Sequence, residues 1–129
     1  MTPTILVVDD ERNIRLLYEK ELKDEGYSVL LASDAKEALK MLESLRPDLV
    51  VLDIKMPGMD GVEALGKILA KDNSIPVILN SAYSSYKDSF LSWSADAYVI
   101  KSSDLTELKS RIRSLLAGRP GGAGSKSGR

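Results

Sequence analysis

Residues 49–61 of the chain read LVVLDIKMPGMDG, and the other segments take their places around this one. Its first four residues are all apolar, and the fifth is Asp53. A strand that is apolar at every position is covered on both faces, which is typical of a parallel sheet with helices on each side. Such sheets bind ligands at the carboxyl ends of their strands. Asp53 is therefore predicted to lie at the carboxyl end of this buried strand, where a carboxylate can react with a bound ligand.

Short apolar runs and helical patterns alternate along the rest of the chain. The predicted strands cover residues 5–8, 28–32, 49–52, 77–79 and 97–100, and a predicted helix begins after each, near residues 11, 34, 60, 84 and 103. Such alternation predicts an α/β fold with right-handed crossovers, in which one doubly wound, five-stranded parallel sheet has the common order 2-1-3-4-5. Gly26 is expected to end the first helix, Asp34 with Glu37 to cap the second, Pro47 to stop it, and Asp60 to cap the third.

Composition excludes several classes of function. The 129 residues carry 18 Lys+Arg against 19 Asp+Glu, for a net charge of -1, so no basic excess indicates nucleic acid binding. The absence of cysteine and histidine removes disulfides, thiolate metal sites and the commonest general base.

We find no signal peptide and no spanning segment, so we expect a cytoplasmic protein without membrane insertion. One domain is expected over residues 1–117, with a flexible Gly/Ser-rich tail over 118–129.

The predicted strand order brings polar residues from four strand ends to one crevice. These residues are Asp9, Asp10, Asp53, Ser81 and Lys101. Three carboxylates repel one another unless a cation holds them, and ligands that are all oxygen favour Mg²⁺. A metal on one side, with an ammonium and a hydroxyl on the other, would surround a phosphoryl group. An aspartate can take up that group as a nucleophile, and Asp53 is the candidate because its strand is central.

With those residues in place, the chain resembles the receiver domain of two-component response regulators, over residues 4 to 117. The resemblance rests on VDD at 8–10, LDIKMPGMDG at 52–61, SA at 81–82 and Lys101. It implies that Asp53 is the phospho-acceptor. It also implies that Asp9 and Asp10 bind Mg²⁺ together with Asp53, and that Lys55 adds its backbone carbonyl to the metal.

The same resemblance implies how such a domain would signal. Ser81 corresponds to the switch hydroxyl that moves onto the phosphoryl group, and Tyr98 to the aromatic ring that swings inward on activation. A sensor histidine kinase or a histidine phosphotransfer protein would donate the phosphoryl group. A downstream protein would read the face formed by the fourth helix, the fifth strand and the last helix. We expect no DNA binding by this chain and no multiple-turnover substrate, although the tail could instead link the receiver to an absent output domain.

Three positions depart from the family or vary within it. Ser102 stands where the family usually has a proline in a cis peptide bond. Because a non-proline cis bond costs about 3–4 kcal/mol, the Lys101–Ser102 bond is predicted to be trans. Lys55 and Tyr83 lie two residues past Asp53 and Ser81 respectively. Their bulk would crowd the path of a hydrolytic water, which predicts a long-lived phosphoryl-aspartate.

Other interpretations of these residues stay open at this point. Asp9 and Asp10 could simply cap the first helix, Ser81 could be a turn hydroxyl, and Tyr98 and Trp93 could be packing residues. An Asp-nucleophile phosphatase is a second function, but Lys55 replaces the acid that such enzymes place two residues past the nucleophile. Flavin binding is excluded because acidic residues 9–11 would repel the flavin phosphate.

Overall fold

A computed structural model of the chain describes residues 2–54, 61–82 and 95–118, and a five-stranded sheet is at its centre. The strands are β1 (Thr4–Val8), β2 (Ser28–Ala32), β3 (Leu49–Asp53), β4 (Val77–Ser81) and β5 (Ala97–Ile100). Neighbouring strands all pair in parallel, in the order β2-β1-β3-β4-β5. The predicted fold class, parallel pairing and strand order are confirmed.

Four helices are described, and they connect or follow these strands. They are α1 (Arg12–Asp24), α2 (Ala35–Met41), α3 (Gly61–Lys71) and α4 (Thr106–Ala117), which is the last of the five predicted helices. The predicted helix that begins near residue 84 lies outside the described residues, as do the predicted cap Asp60, Trp93 and residues 119–129 of the predicted tail. Within the described ranges, the helices are all too short or too polar to cross a membrane.

The sheet separates two apolar cores because successive side chains of a strand point to opposite faces. On one face, which we call the α1–α4 face, Tyr18 and Leu22 of α1 and Leu108 and Ile112 of α4 pack against β1, β3, β4 and β5. On the other, the α2–α3 face, alanines of α2 and the apolar stripe of α3 cover the sheet. Strand β3 is buried along its whole length. Its apolar sequence is thus explained by helices on both sides.

Local bonds fix the helix ends near the places that the sequence predicts. Gly26 follows α1 with φ of 97°, a left-handed conformation that suits glycine. At the start of α2 the carboxylate of Asp34 accepts a hydrogen bond from the Glu37 N–H at 2.8 Å. The Glu37 carboxylate accepts from the Ser33 N–H at 2.6 Å, so the reciprocal bond of the capping box is displaced by one residue.

Two details of the helical prediction are wrong. Helix α2 ends at Met41 rather than at Pro47, because the backbone after it tightens into turns: the Ser44 N–H donates to the Met41 carbonyl three residues back. The helical spacing of Ala35, Ala38, Leu42 and Leu45 predicts one apolar face, but Leu45 lies beyond the helix and is 42% exposed. The spacing in α1 likewise predicts Leu17 on the inward face, whereas it is 36% exposed. Neither change moves a strand end.

Candidate functional site

Three carboxylates meet where β1 and β3 end. Asp9 and Asp10 directly follow β1, and Asp53 is the last residue of β3, the neighbouring strand. One carboxylate oxygen from each residue lies within 4.8 Å of the other two. Asp9 and Asp53 are buried, whereas Asp10 is exposed. This donor set is all oxygen and open to solvent on the Asp10 side, so it fits a hard divalent cation that keeps some of its waters.

Lys101 places a positive charge against the two buried carboxylates. Its Nζ atom lies 2.8 Å from Oδ2 of Asp9 and 3.4 Å from Oδ2 of Asp53. The backbone N–H of Lys101 donates to the Ser81 carbonyl at 2.7 Å, which ties the end of β5 to the end of β4. Burial alone would lower the pKa of Lys101, but the bonds and charges of Asp9 and Asp53 outweigh it and raise that pKa above 10.5.

Asp9 is held by more than its ion pair. Its Oδ1 atom accepts a hydrogen bond from the Glu11 N–H at 2.9 Å, while its backbone carbonyl accepts from the Arg15 guanidinium at 2.8 Å. The residue in the N-cap position of α1 is Glu11, and its side chain makes no capping bond. The Asp9–Glu11 bond is thus a local turn that precedes the helix and not a cap of α1; it uses one carboxylate oxygen of Asp9 and leaves the other to Lys101.

Ser81 and Tyr98 lie on the α2–α3 face of the sheet. Ser81 ends β4 and is fully buried, and Tyr98 is the register partner of Leu79, two residues before Ser81 on the same face. The Tyr98 ring is half-buried against the core of that face. The structure thus places the two predicted switch residues on one face of neighbouring strands, with Ser81 at the strand end that faces the acidic cluster.

Sequence reasoning missed two polar residues of this region. The side-chain amide of Asn80 donates through Nδ2 to the Tyr18 hydroxyl at 2.7 Å, and both side chains are buried. The spacing of Ile14, Tyr18 and Leu22 predicts only that Tyr18 packs in the core. The available signal was the asparagine itself, because a polar residue directly after the apolar run of β4 needs a hydrogen-bond partner if the strand continues through it in the core.

Burial raises the pKa of the Tyr18 hydroxyl above its ordinary 10.0, against the opposing effects of the Asn80 bond and the Lys101 charge. Folding therefore makes both Tyr18 and Lys101 hold their protons more tightly. Their contribution to stability is complete below about pH 10 and is lost as the pH rises through their folded pKa values. We expect the free energy of unfolding, measured with urea between about pH 8 and pH 11, to fall with pH. An equally steep fall in a Tyr18→Phe, Lys101→Met double variant would contradict this assignment.

The connection from β5 to α4 follows a trans peptide bond between Lys101 and Ser102, as predicted, since no cis bond occurs in the described ranges. The Ser102 hydroxyl oxygen accepts from the Asp104 N–H at 3.0 Å. Oδ1 of Asp104 in turn accepts from the Thr106 N–H at 2.9 Å. Lys55 and Tyr83, which were predicted to border the site, lie outside the described residues.

Comparison with known proteins identifies relatives along almost the whole chain. The family model for the response regulator receiver domain matches residues 5–113. The transcriptional regulatory protein PrrA of Mycobacterium tuberculosis is 41% identical over 128 residues, which cover 98% of this chain and 55% of PrrA. The response regulator MprA of Mycolicibacterium vanbaalenii is 41% identical, covering 90% of this chain and 51% of MprA. The chain thus spans about half the length of the curated relatives it matches.

A solved structure extends the similarity to the fold. The response regulator protein TrrA of Thermotoga maritima, crystallised in complex with Mg²⁺ and BeF, is 47% identical with a TM-score of 0.85, over 88% of this chain and 98% of that one. A second structure, of the histidine kinase ThkA in complex with TrrA, gives a TM-score of 0.83 over 88% of this chain and 97% of that one, again at 47% identity.

Proposed function

Because the chain belongs to the response regulator receiver domain family, we propose that it is a phosphorylatable switch of a two-component system or phosphorelay, with Asp53 as the phospho-acceptor. The observation that supports this most directly is the meeting of Asp9, Asp10 and Asp53 with the Lys101 ammonium at adjoining strand ends. A nucleophilic carboxylate beside a fixed cation is what transfer of a phosphoryl group requires of a protein.

In the proposed reaction, a carboxylate oxygen of Asp53 forms a bond to the phosphorus of the donor. The P–N bond of a partner phosphohistidine breaks, its electron pair goes to the imidazole nitrogen, and that nitrogen takes up a proton. Lys101 stands close enough to Asp53 to neutralise charge on the transferred group. The 129 residues contain no histidine, so the donor phosphohistidine must lie outside them.

The carboxylates of Asp9, Asp10 and Asp53 would hold Mg²⁺, with the Lys55 carbonyl as a further ligand. When bound, the metal would supply positive charge for the oxygens of the transferred group. The chain's own residues prepare the site in two ways. The Glu11 N–H and the Lys101 ammonium hold Asp9 in place, and Lys101 offsets the repulsion between the two buried carboxylates.

We propose a histidine kinase or histidine phosphotransfer protein as the donor, in the cytoplasm. The ThkA–TrrA complex supports a kinase, because TrrA is similar to this chain over 88% of its length. Phosphorylation would draw Ser81 toward the phosphoryl group and move Tyr98, changing the face that contains β5 and α4. A downstream protein would read that change. Because the chain spans about half of its curated relatives, it could equally be the receiver portion of a longer regulator.

Incubation with Mg²⁺ and acetyl phosphate, followed by intact mass measurement, tests the phosphorylation itself. We expect a single phosphoryl addition to the wild-type chain and none to the Asp53→Asn variant, because an amide is a far weaker nucleophile than a carboxylate. Asp24→Asn, at an exposed position of α1, is the matched control and should be labelled like the wild type. Labelling of the Asp53→Asn variant would place the acceptor elsewhere, and sustained turnover of a generic phosphate ester would favour the phosphatase instead.

The lifetime of the phosphoryl group is a separate expectation. Lys55 and Tyr83 are proposed to obstruct the water that would attack the phosphoryl-aspartate. Replacing both by alanine should speed dephosphorylation by about tenfold, because in-line attack depends on free access to phosphorus. The decay of labelled protein after removal of acetyl phosphate measures this rate. An unchanged decay would rule out the obstruction.

A further inference from the structure

Two buried polar side chains lie beside the acidic cluster without taking part in the proposed chemistry. Asn80 is the register partner of Asp53 and is only 2% exposed. Its Nδ2 donates to the Tyr18 hydroxyl, while its Oδ1 is buried and has no hydrogen-bond partner among the described residues. A half-satisfied buried polar pair is less stable than an apolar pair of the same shape. A less stable polar pair of this kind is expected where it serves a functional site.

The Lys101 side chain crosses the sheet above this polar pair, which suggests a role for the pair. Lys101 follows β5, yet its ammonium bonds to Asp53 on β3 and to Asp9 beside β1. The sheet order places β4 between β5 and β3. Because adjacent strands lie about 4.8 Å apart, the aliphatic stem of Lys101 must cross the end of β4.

Asn80 is the residue of β4 under that crossing. It pairs with Val99, and Lys101 stands two residues beyond Val99 on the same face of the sheet. Val99 and Tyr18 both belong to the α1–α4 core, which places the Asn80 amide on that face as well. The charges of Lys101, Asp9 and Asp53 all act on the pKa of the Tyr18 hydroxyl, which therefore lies near the acidic cluster.

We propose that Asn80, held in orientation by Tyr18, is a positioning residue that supports Lys101 across the end of β4 and directs its ammonium to Asp9 and Asp53. Tyr18 fixes one end of the amide from α1, which packs against this face of the sheet. The remaining carbonyl oxygen, which bonds to no described group, would place partial negative charge along the path of the Lys101 side chain. An apolar residue at position 80 would fill the space without that charge. The consequence for phosphoryl transfer rests on the proposed function, whereas the support of Lys101 does not.

A double-mutant cycle between Asn80→Leu and Lys101→Met tests the support directly. Urea unfolding of the metal-free chain should show that Asn80→Leu changes the unfolding midpoint differently when Lys101 is methionine. The rate of labelling by acetyl phosphate with Mg²⁺ should fall by about tenfold when Asn80→Leu is made in the wild-type chain, whereas adding Asn80→Leu to Lys101→Met should slow labelling no further than Lys101→Met alone does. If Asn80→Leu fails to fold, Tyr18→Phe, which keeps the ring, enters the same cycle.

Tyr27→Phe is the control, because it removes the hydroxyl of a half-buried tyrosine just before β2. Strand β2 is the edge strand opposite to β5, which carries Lys101 at its end. It should leave the labelling rate unchanged. Additive unfolding midpoints, or an equal loss of labelling rate with and without Lys101, would overturn the proposal. If the wild-type chain is not labelled at all, the proposed function fails, and the unfolding cycle alone still decides whether Asn80 supports Lys101.

Discussion

Replacing Lys101 by methionine is expected to slow the phosphorylation of Asp53 by about 100- to 1,000-fold, the usual effect of removing one preorganised electrostatic group. Methionine keeps most of the length and apolar bulk of the stem and removes only the charge. The ammonium lies 3.4 Å from Oδ2 of Asp53, the residue to which the phosphoryl group would be attached. The labelling rate with acetyl phosphate at saturating Mg²⁺ measures the effect.

The same substitution should also destabilise the metal-free fold by about 3–5 kcal/mol, because it leaves two buried carboxylates without their cation. The side chains of Asp9 and Asp53 are 2% and 5% exposed, and that of Lys101 is 15% exposed. Bound Mg²⁺ stabilises only the folded chain. Added Mg²⁺ should therefore raise the unfolding midpoint of the Lys101→Met variant more than that of the wild type.

Lys109 offers a matched control for Lys101. Its Nζ lies 2.7 Å from the Glu21 carboxylate in the contact between α4 and α1, and its side chain is 20% exposed. Lys109→Met should leave the labelling rate unchanged and should destabilise the fold much less than Lys101→Met, because its partner Glu21 is 33% exposed whereas Asp9 and Asp53 are buried. Equal labelling of wild type and Lys101→Met would remove Lys101 from the site.

The second large effect is expected at Asp10, where metal binding and stability should separate. Asp10→Asn should weaken Mg²⁺ binding at least tenfold, or about 1.4 kcal/mol, since one of three ligand charges is lost. The metal-free chain should keep or slightly raise its stability, because the exposed Asp10 carboxylate is repelled by two buried carboxylates nearby. Titration calorimetry with Mg²⁺ and urea unfolding measure the two quantities.

Asp9→Asn provides the contrast. Asp9 contributes to the carboxylate cluster and also bonds to Lys101 and to the Glu11 N–H. Its replacement should therefore weaken Mg²⁺ binding and destabilise the metal-free fold together. If Asp10→Asn instead destabilised the metal-free chain as much as Asp9→Asn did, Asp10 would be a structural residue rather than a metal ligand.

The sequence predicts the scaffold of this site better than its interior. Apolar runs and turn residues locate all five strands, and strand order then brings Asp53 and Lys101 together, as the structure confirms. Periodicity cannot show that a residue on an apolar face makes a polar contact, so Tyr18 was assigned to packing and Asn80 was overlooked. The early end of α2 was missed because backbone bonds three residues apart leave no periodic signature.

The connection between Lys101 and α4 has a consequence for how the domain could be tuned. In place of the proline that the family resemblance predicts after Lys101, this chain has Ser102, whose hydroxyl accepts from the Asp104 N–H, while the Asp104 carboxylate accepts from the Thr106 N–H. A ring sets a fixed angle by covalent geometry. Two hydrogen bonds exposed to water can instead open one at a time. The corner between β5 and α4 is therefore held by solvent-exposed contacts that water can break singly, at the Asp104 N–H or at the Thr106 N–H.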